Sequence, residues 1–238
     1  MKPRAQSKHQ VKRTSPHPSF IGMRPSVPLR SEFTKEEWEV IQTHRTPEQV
    51  QRYLRSIPYN RESGGPTCFS FRRVLREGRA HCLEGALVAA VILEQHGYPP
   101  TVVSMESQDK LDHVLLLFQR NGRWGSVARS RDIGLHGRKP VFRTVRDLVM
   151  SYFETYIDKT GRILGYAVAS LYELGDYDWR FTLRNARKVE KHLQDIPHIA
   201  IKTSDARYER WLRRYLAFHK ENPGQSPEYF SNRDQWLL

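Results

Sequence analysis

Cys82 and His113 are the two side chains whose chemistry and placement in the sequence point to a reaction. Cys82 stands where a helix should begin, in Gly78-Arg79-Ala80-His81-Cys82-Leu83-Glu84-Gly85-Ala86, and His113 opens an apolar stretch, His113-Val114-Leu115-Leu116-Leu117-Phe118. The unbonded N–H groups of a first helical turn stabilise a thiolate, and the same donors can hold the oxyanion formed when it attacks a carbonyl. An imidazole nearby supplies the base that takes the thiol proton and the acid that passes it on. Arg79 and His81 would lower the thiol pKa if they lie near it, whereas Glu84 would raise it by like-charge repulsion, a balance the sequence leaves open. Packing is the competing account: free cysteine often fills a core as a small hydrophobe, and a histidine at a sheet end often serves only as a hydrogen-bonding group.

The elements that must position these residues are readable. Residues 83–95 are apolar nearly all round, which predicts a helix buried in a core, ended by His96-Gly97 and Tyr98-Pro99-Pro100. Asn121-Gly122 predicts a two-residue hairpin turn that pairs Arg120 with Arg123. Counting outward places His113 opposite Ser130, with Asp132 on the same face one diagonal further. Asp132 is therefore the candidate that orients His113, with Ser130 as the fallback, and Asp112 should project from the opposite face.

The run Gly78 to Ala86, the apolar helix after it, His96-Gly97-Tyr98-Pro99-Pro100-Thr101-Val102-Val103, and a His-led strand with Trp124 after its turn resemble the core of the transglutaminase-like superfamily. The resemblance is best over residues 46–132, with Ile57-Pro58-Tyr59-Asn60 as an upstream part of the same domain. It implies an α+β, papain-like core in which a buried helix bearing the nucleophile packs on an antiparallel sheet, with extra C-terminal helices. It also implies a Cys-His-Asp site with Cys82 as nucleophile and His113 as base. The activity implied is acyl transfer or hydrolysis at an amide bond, on a protein or peptide amide substrate, with no cofactor and no metal. Ala128 stands where relatives keep the acid, and Leu115 where many carry an aromatic. A catalytically silent interaction module of the same fold is accordingly the alternative.

A metal site drawn from Cys68, His81, Cys82, His96 and His113 lacks the close ligand pairs of structural zinc sites, and Ser63-Gly64-Gly65-Pro66 lacks the Lys-Ser/Thr ending of a phosphate loop. With 39 Lys and Arg against 26 Asp and Glu the net charge is +13, and much of the asymmetry lies in residues 1–31, which carry lysine, arginine and proline but no acid. That stretch reads as a disordered basic tail, followed by the principal domain at residues 32–202 and a basic amphipathic helix and tail at residues 203–238. Arg207, Arg210, Arg213 and Arg214 of that helix would suit phosphate contacts, so nucleic-acid binding is a rival function, although no sequence-reading motif accompanies it.

Thr34-x-x-Glu37 and Thr46-Pro47-Glu48-Gln49 predict capped helices. Val145, Leu148, Val149, Tyr152, Phe153 and Tyr156 keep helical spacing after Thr144, residues 183–193 predict another helix, and the chain beyond Asn222 reads as irregular. No apolar run is long enough to cross a membrane, no secretory signal is evident, and only two cysteines are present, which together suggest a cytoplasmic protein.

Overall fold

The computed structural model describes residues 27–110, 112–225 and 230–238; most of the predicted basic tail lies outside them. Helices α1 (Lys35–Thr43) and α2 (Pro47–Ser56) begin as expected: Thr34 and Thr46 accept from the N–H groups of Glu37 and Gln49, whose side chains bond back to the cap residues. Helix α3 (Phe71–Glu77) follows, and then α4 (Cys82–Glu94), in which every residue but Cys82 is buried.

Six strands form one antiparallel sheet: β1 (Thr101–Ser107), β2 (His113–Arg120), β3 (Arg123–Val127), β4 (Arg138–Phe142), β5 (Ile163–Ser170) and β6 (Ile199–Ala200), in the order β4-β3-β2-β1-β5-β6. Asn121 and Gly122 sit at φ 51° and 69°, the left-handed pair that a tight hairpin needs, and Arg120 pairs with Arg123 as the register count predicts. The sheet is covered on both faces. Val102, Val114, Leu116 and Phe118 pack under α1 to α4, whereas Val103, Met105, Leu115 and Leu117 meet Leu148, Val149 and Tyr152 on the other side. Alternation along β2 thus builds two cores from one strand, and α4 closes the first of them.

Other boundaries differ from expectation. The single helix expected after Thr144 is two, α5 (Val145–Met150) and α6 (Phe153–Tyr156), because the Ser151 hydroxyl bonds back to the Leu148 carbonyl and receives the Arg138 guanidinium. Helix α7 (Arg187–Asp195) starts later than residue 183, since the Ala186 N–H goes to the Cys68 carbonyl and Asn185 Oδ1 takes the Cys68 N–H and Arg73. Helix α8 (Asp205–Glu221) docks Trp211, Tyr208 and Leu212 against Phe153 and Ile157. Beyond Asn222 the chain is not wholly irregular, because α9 (Arg233–Trp236) follows and Leu237 then bridges to Arg138 on β4. At the other end, Pro28 and Arg30, counted with the tail from sequence, are held against the body through Gln95 and the Trp38 ring.

Candidate active site

Cys82 and His113 come together at the end of the sheet. Cys82 Sγ lies 3.8 Å from the Asp112 carbonyl at the mouth of β2, so the first turn of α4 overhangs the strand end. There the His113 imidazole reaches the sulfur although its strand neighbours Leu115 and Leu117 face away from α4. Gly85 permits the approach: a Cβ at that position would lie 2.5 Å from the Cβ of Arg129. Intrahelical bonding in α4 begins with Gly85 N–H donating to the His81 carbonyl at 2.8 Å, so the amides of Cys82, Leu83 and Glu84 precede the ladder, as in any helix start.

The two cysteines have opposite environments. Cys68 is buried, with Sγ 3.4 Å from the Ala186 carbonyl, and burial pushes its thiol up to about 12. Burial also opposes ionisation of Cys82, but hydrogen bonds and positive charge from His113 and His81 outweigh it and bring that thiol down to about 5. Cys82 is therefore a thiolate at neutral pH.

His113 is only 4 % exposed, and its Nε2 lies 2.9 Å from the Leu135 carbonyl. A carbonyl only accepts, so Nε2 carries the hydrogen and Nδ1 is the nitrogen left for the thiol. This revises the expected orienter: the acceptor on Nε2 is the main chain of Leu135, not Asp132 or Ser130. The carboxylate of Asp132 takes the Arg131 guanidinium at 3.2 Å, and Ser130 Oγ accepts the Asp132 N–H. The reason is remote in sequence. Gln51 of α2 donates to the Ala128 carbonyl and accepts from the Ala128 and Gly137 N–H groups, so its amide ends the β2–β3 ladder, whose last pair is Leu116 with Val127. The chain then turns through a short 3-10 helix, Ile133–Leu135, which brings the Leu135 carbonyl to the imidazole. Ala128, where the resemblance would lead one to expect an acid, is fully buried in one cluster with Leu115, Val103 and Tyr152.

Arg138 fixes that turn. Its guanidinium is fully buried, donates to the Gly134 and His136 carbonyls on either side of Leu135 and to Ser151 Oγ, and stacks 3.9 Å over Tyr152, whose ring also meets His113 edge-on. Nothing in the sequence marks Arg138 for this task.

Glu84 does not act as a free acid beside the thiol. It is completely buried and accepts from Asn60 Nδ2, Thr67 Oγ1, and the N–H groups of Phe69 and His81, at 2.7 to 2.9 Å. It thereby ties the helix start to two upstream loop segments. Tyr59 is fixed close by through a parallel bridge to Ala80, and burial, with the Cys82 charge next, pushes its phenol up to about 12.

Tyr59, His81, Cys82 and His113 line a cleft of about 940 Å3, which Asp132 and, from α8, Tyr215 and His219 also line. No group of three His, Cys, Asp or Glu side chains among the described residues is arranged to hold a metal ion, and no described helix is long and apolar enough to cross a membrane. On the basic face of α8, Arg207 lies 4.3 Å over Phe153 and Arg214 4.9 Å over Trp211, while Arg210, Arg213 and Arg214 are exposed to solvent. No family model matches the chain, and no curated protein matches it.

Proposed function

We propose that the protein is a cysteine-dependent hydrolase or acyltransferase acting on an amide bond of a protein or peptide, with a site of papain-like, transglutaminase-like type. The observation that carries this reading is Cys82 at the head of α4, its ionisation favoured by His113 and His81, beside an imidazole whose Nε2 lies 2.9 Å from the Leu135 carbonyl. In the mechanism, His113 Nδ1 holds the proton that Cys82 has given up. The sulfur attacks the carbonyl carbon, and the oxyanion is held by the main-chain N–H groups at the start of α4. Collapse breaks the C–N bond as His113 protonates the leaving amine, which leaves a thioester on Cys82. Water or an amine, deprotonated by His113, releases the acyl group. The silent-module alternative draws its support from Ala128; the Leu135 carbonyl, as an acceptor for His113 Nε2, favours the catalytic reading.

The test uses an activated acyl ester such as p-nitrophenyl acetate. A burst of about one product per enzyme, with the acyl mass on the Cys82 peptide, is the expected signature of a covalent intermediate. A burst unchanged in Cys82→Ala would sink the proposal.

A further inference from the structure

We propose that His81 is the standing counter-cation of the Cys82 thiolate, which leaves His113 as the group that moves the proton. The inference rests on the thiolate chemistry above and assigns a second imidazole a separate task within it. His81 is the N-cap residue of α4, and its side chain is only 12 % exposed. Its Nε2 faces the Thr67 carbonyl at 3.2 Å, Glu84 Oε1 at 3.4 Å and Glu62 Oε1 at 3.7 Å. All three are acceptors, so Nε2 carries a hydrogen, and with that N–H directed to them the neighbouring Cys82 sulfur, which also draws a hydrogen bond from this ring, is best met by a second N–H on Nδ1. An imidazole between a thiolate and two carboxylates is an imidazolium.

Both carboxylates are fixed. Glu84 is held by the four donors described above, and Glu62 sits at φ 52°, a left-handed conformation few glutamates adopt, with its N–H on Asn60 Oδ1 and its carboxylate on the Thr67 N–H. Asn60 and Thr67 thus serve both acids, and His81 is embedded in a preformed anionic seat. His113 has no such seat: the partner of its Nε2 is the neutral carbonyl of Leu135, and the ring beside it is Tyr152. The charged and titratable groups around the sulfur are His81, His113, Tyr59 and Tyr156. Burial opposes protonation of His81, yet the Cys82 and Glu84 charges with the Thr67 carbonyl bring it up to about 9.

The proton inventory separates the roles. His81 keeps both its protons through the cycle and offsets the sulfur's charge whenever the thiolate is free. The proton that leaves sulfur is the one His113 carries to the amine, and water returns a proton to His113 when the thioester is cleaved.

Iodoacetamide labelling of Cys82 against pH, together with turnover, in wild type, His81→Gln and His113→Gln tests the division. His81→Gln is expected to move the labelling midpoint up by about one pH unit or more, which leaves roughly threefold less thiolate at pH 5.5. His113→Gln should label within about threefold of wild type at pH 7 while amide turnover falls about 10²- to 10⁴-fold. The reverse pattern, with the thiolate lost in His113→Gln and kept in His81→Gln, overturns the inference. An NMR titration of the unsubstituted protein gives a second reading independent of folding defects. His81 should stay protonated to about pH 8 and lose that resistance once Cys82 is alkylated, and a ring titrating near 6.5 throughout overturns the assignment. Should wild-type Cys82 prove no more reactive than Cys68, the thiolate reading itself fails and takes this one with it.

Discussion

Replacing Glu84 by glutamine keeps the size and shape of the side chain and changes one oxygen into an amide nitrogen, so its cost isolates the hydrogen-bond pattern. In the native site Oε1 accepts from Thr67 Oγ1 and the Phe69 N–H, and Oε2 accepts from Asn60 Nδ2 and the His81 N–H. If the new NH2 group occupies the Oε1 position, the Thr67 hydroxyl can rotate and accept, but the Phe69 N–H is stranded. At the Oε2 position, the Asn60 amide can flip only by giving up its bonds to Thr67 and Glu62, and the His81 N–H is stranded instead. Either orientation leaves one buried main-chain donor unpaired, about 1–3 kcal/mol, and weakens the remaining charge-assisted bonds to neutral ones. A total of about 3 kcal/mol follows, which for a chain of this size lowers Tm by roughly 6–12 °C. Chemical denaturation and a thermal melt of Glu84→Gln against wild type measure it. A loss below about 1 kcal/mol would show that the carboxylate is not the tie between α4 and the loops, and would refute the reasoning.

Three further outcomes are expected. At pH 7 a thiol near 5 is almost wholly ionised and one near 12 is ionised about once in 10⁵, and the greater nucleophilicity of the more basic thiolate regains about three of those decades. Cys82 should therefore alkylate about a hundredfold faster than Cys68, more once Cys68 burial is counted, and equal rates in peptide mass spectrometry would contradict the site. Arg138→Met strands the Gly134 carbonyl and takes one of two partners from the His136 carbonyl and the Ser151 hydroxyl, but also removes a buried charge, so a net loss of about 1–3 kcal/mol is expected, with turnover at least about tenfold lower because the Leu135 carbonyl is no longer aimed; full turnover in a destabilised variant would refute the clamp. Burial, with the Arg55 and Arg129 charges, holds His136 down at about 4 against the pull of the Ser130 carbonyl. The unfolded imidazole binds its proton first, so stability present above about pH 6.5 is lost as the pH falls towards 4, on the order of 3 kcal/mol. Between pH 7 and 4.5 wild type should lose on the order of 2 kcal/mol more than His136→Gln in denaturation.

The helix that starts at Cys82 and the strand that starts at His113 were legible because each announces itself locally: an apolar helix after the cysteine, an apolar strand after the histidine, and a turn that fixes the register of β2 with β3. The orienter was not, because a main-chain carbonyl has no residue type to read. Continuing the β2–β3 register to Ser130 was sound for an isolated hairpin. It fails because Gln51, on another helix, supplies the hydrogen bonds that strand continuation would have used. The same kind of tertiary competition splits α5 from α6 through Arg138 and delays α7 through Asn185. Glu84 illustrates the converse: its sequence position marks it as a first-turn acid near the thiol, and only Asn60, Thr67 and Phe69 turn it into a tie.

The carbonyl at Leu135 and the carboxylates at His81 account for each other. A carboxylate on His113 would stabilise the imidazolium by a full charge, whereas a carbonyl contributes a dipole and a single hydrogen bond. A site with only that neutral support would hold its thiolate weakly. In this chain the anionic support sits behind the other imidazole, where Glu62 and Glu84 face His81. In the proposed mechanism this keeps positive charge next to sulfur without fastening a proton to the group that must give it away. A base oriented by a neutral acceptor releases its proton to the leaving amine more readily than one held by a carboxylate. Placing an acid at Ala128 should accordingly fail to raise turnover. Ala128→Asp puts a carboxylate among Leu115, Val103 and Tyr152, where ionisation is opposed by burial, and Ala128 is already bonded to Gln51 through its main chain. A loss of several kcal/mol in stability with no gain in turnover is the expected result, read from denaturation and ester hydrolysis. A stable, faster variant would mean that His113 lacks support from Leu135 after all.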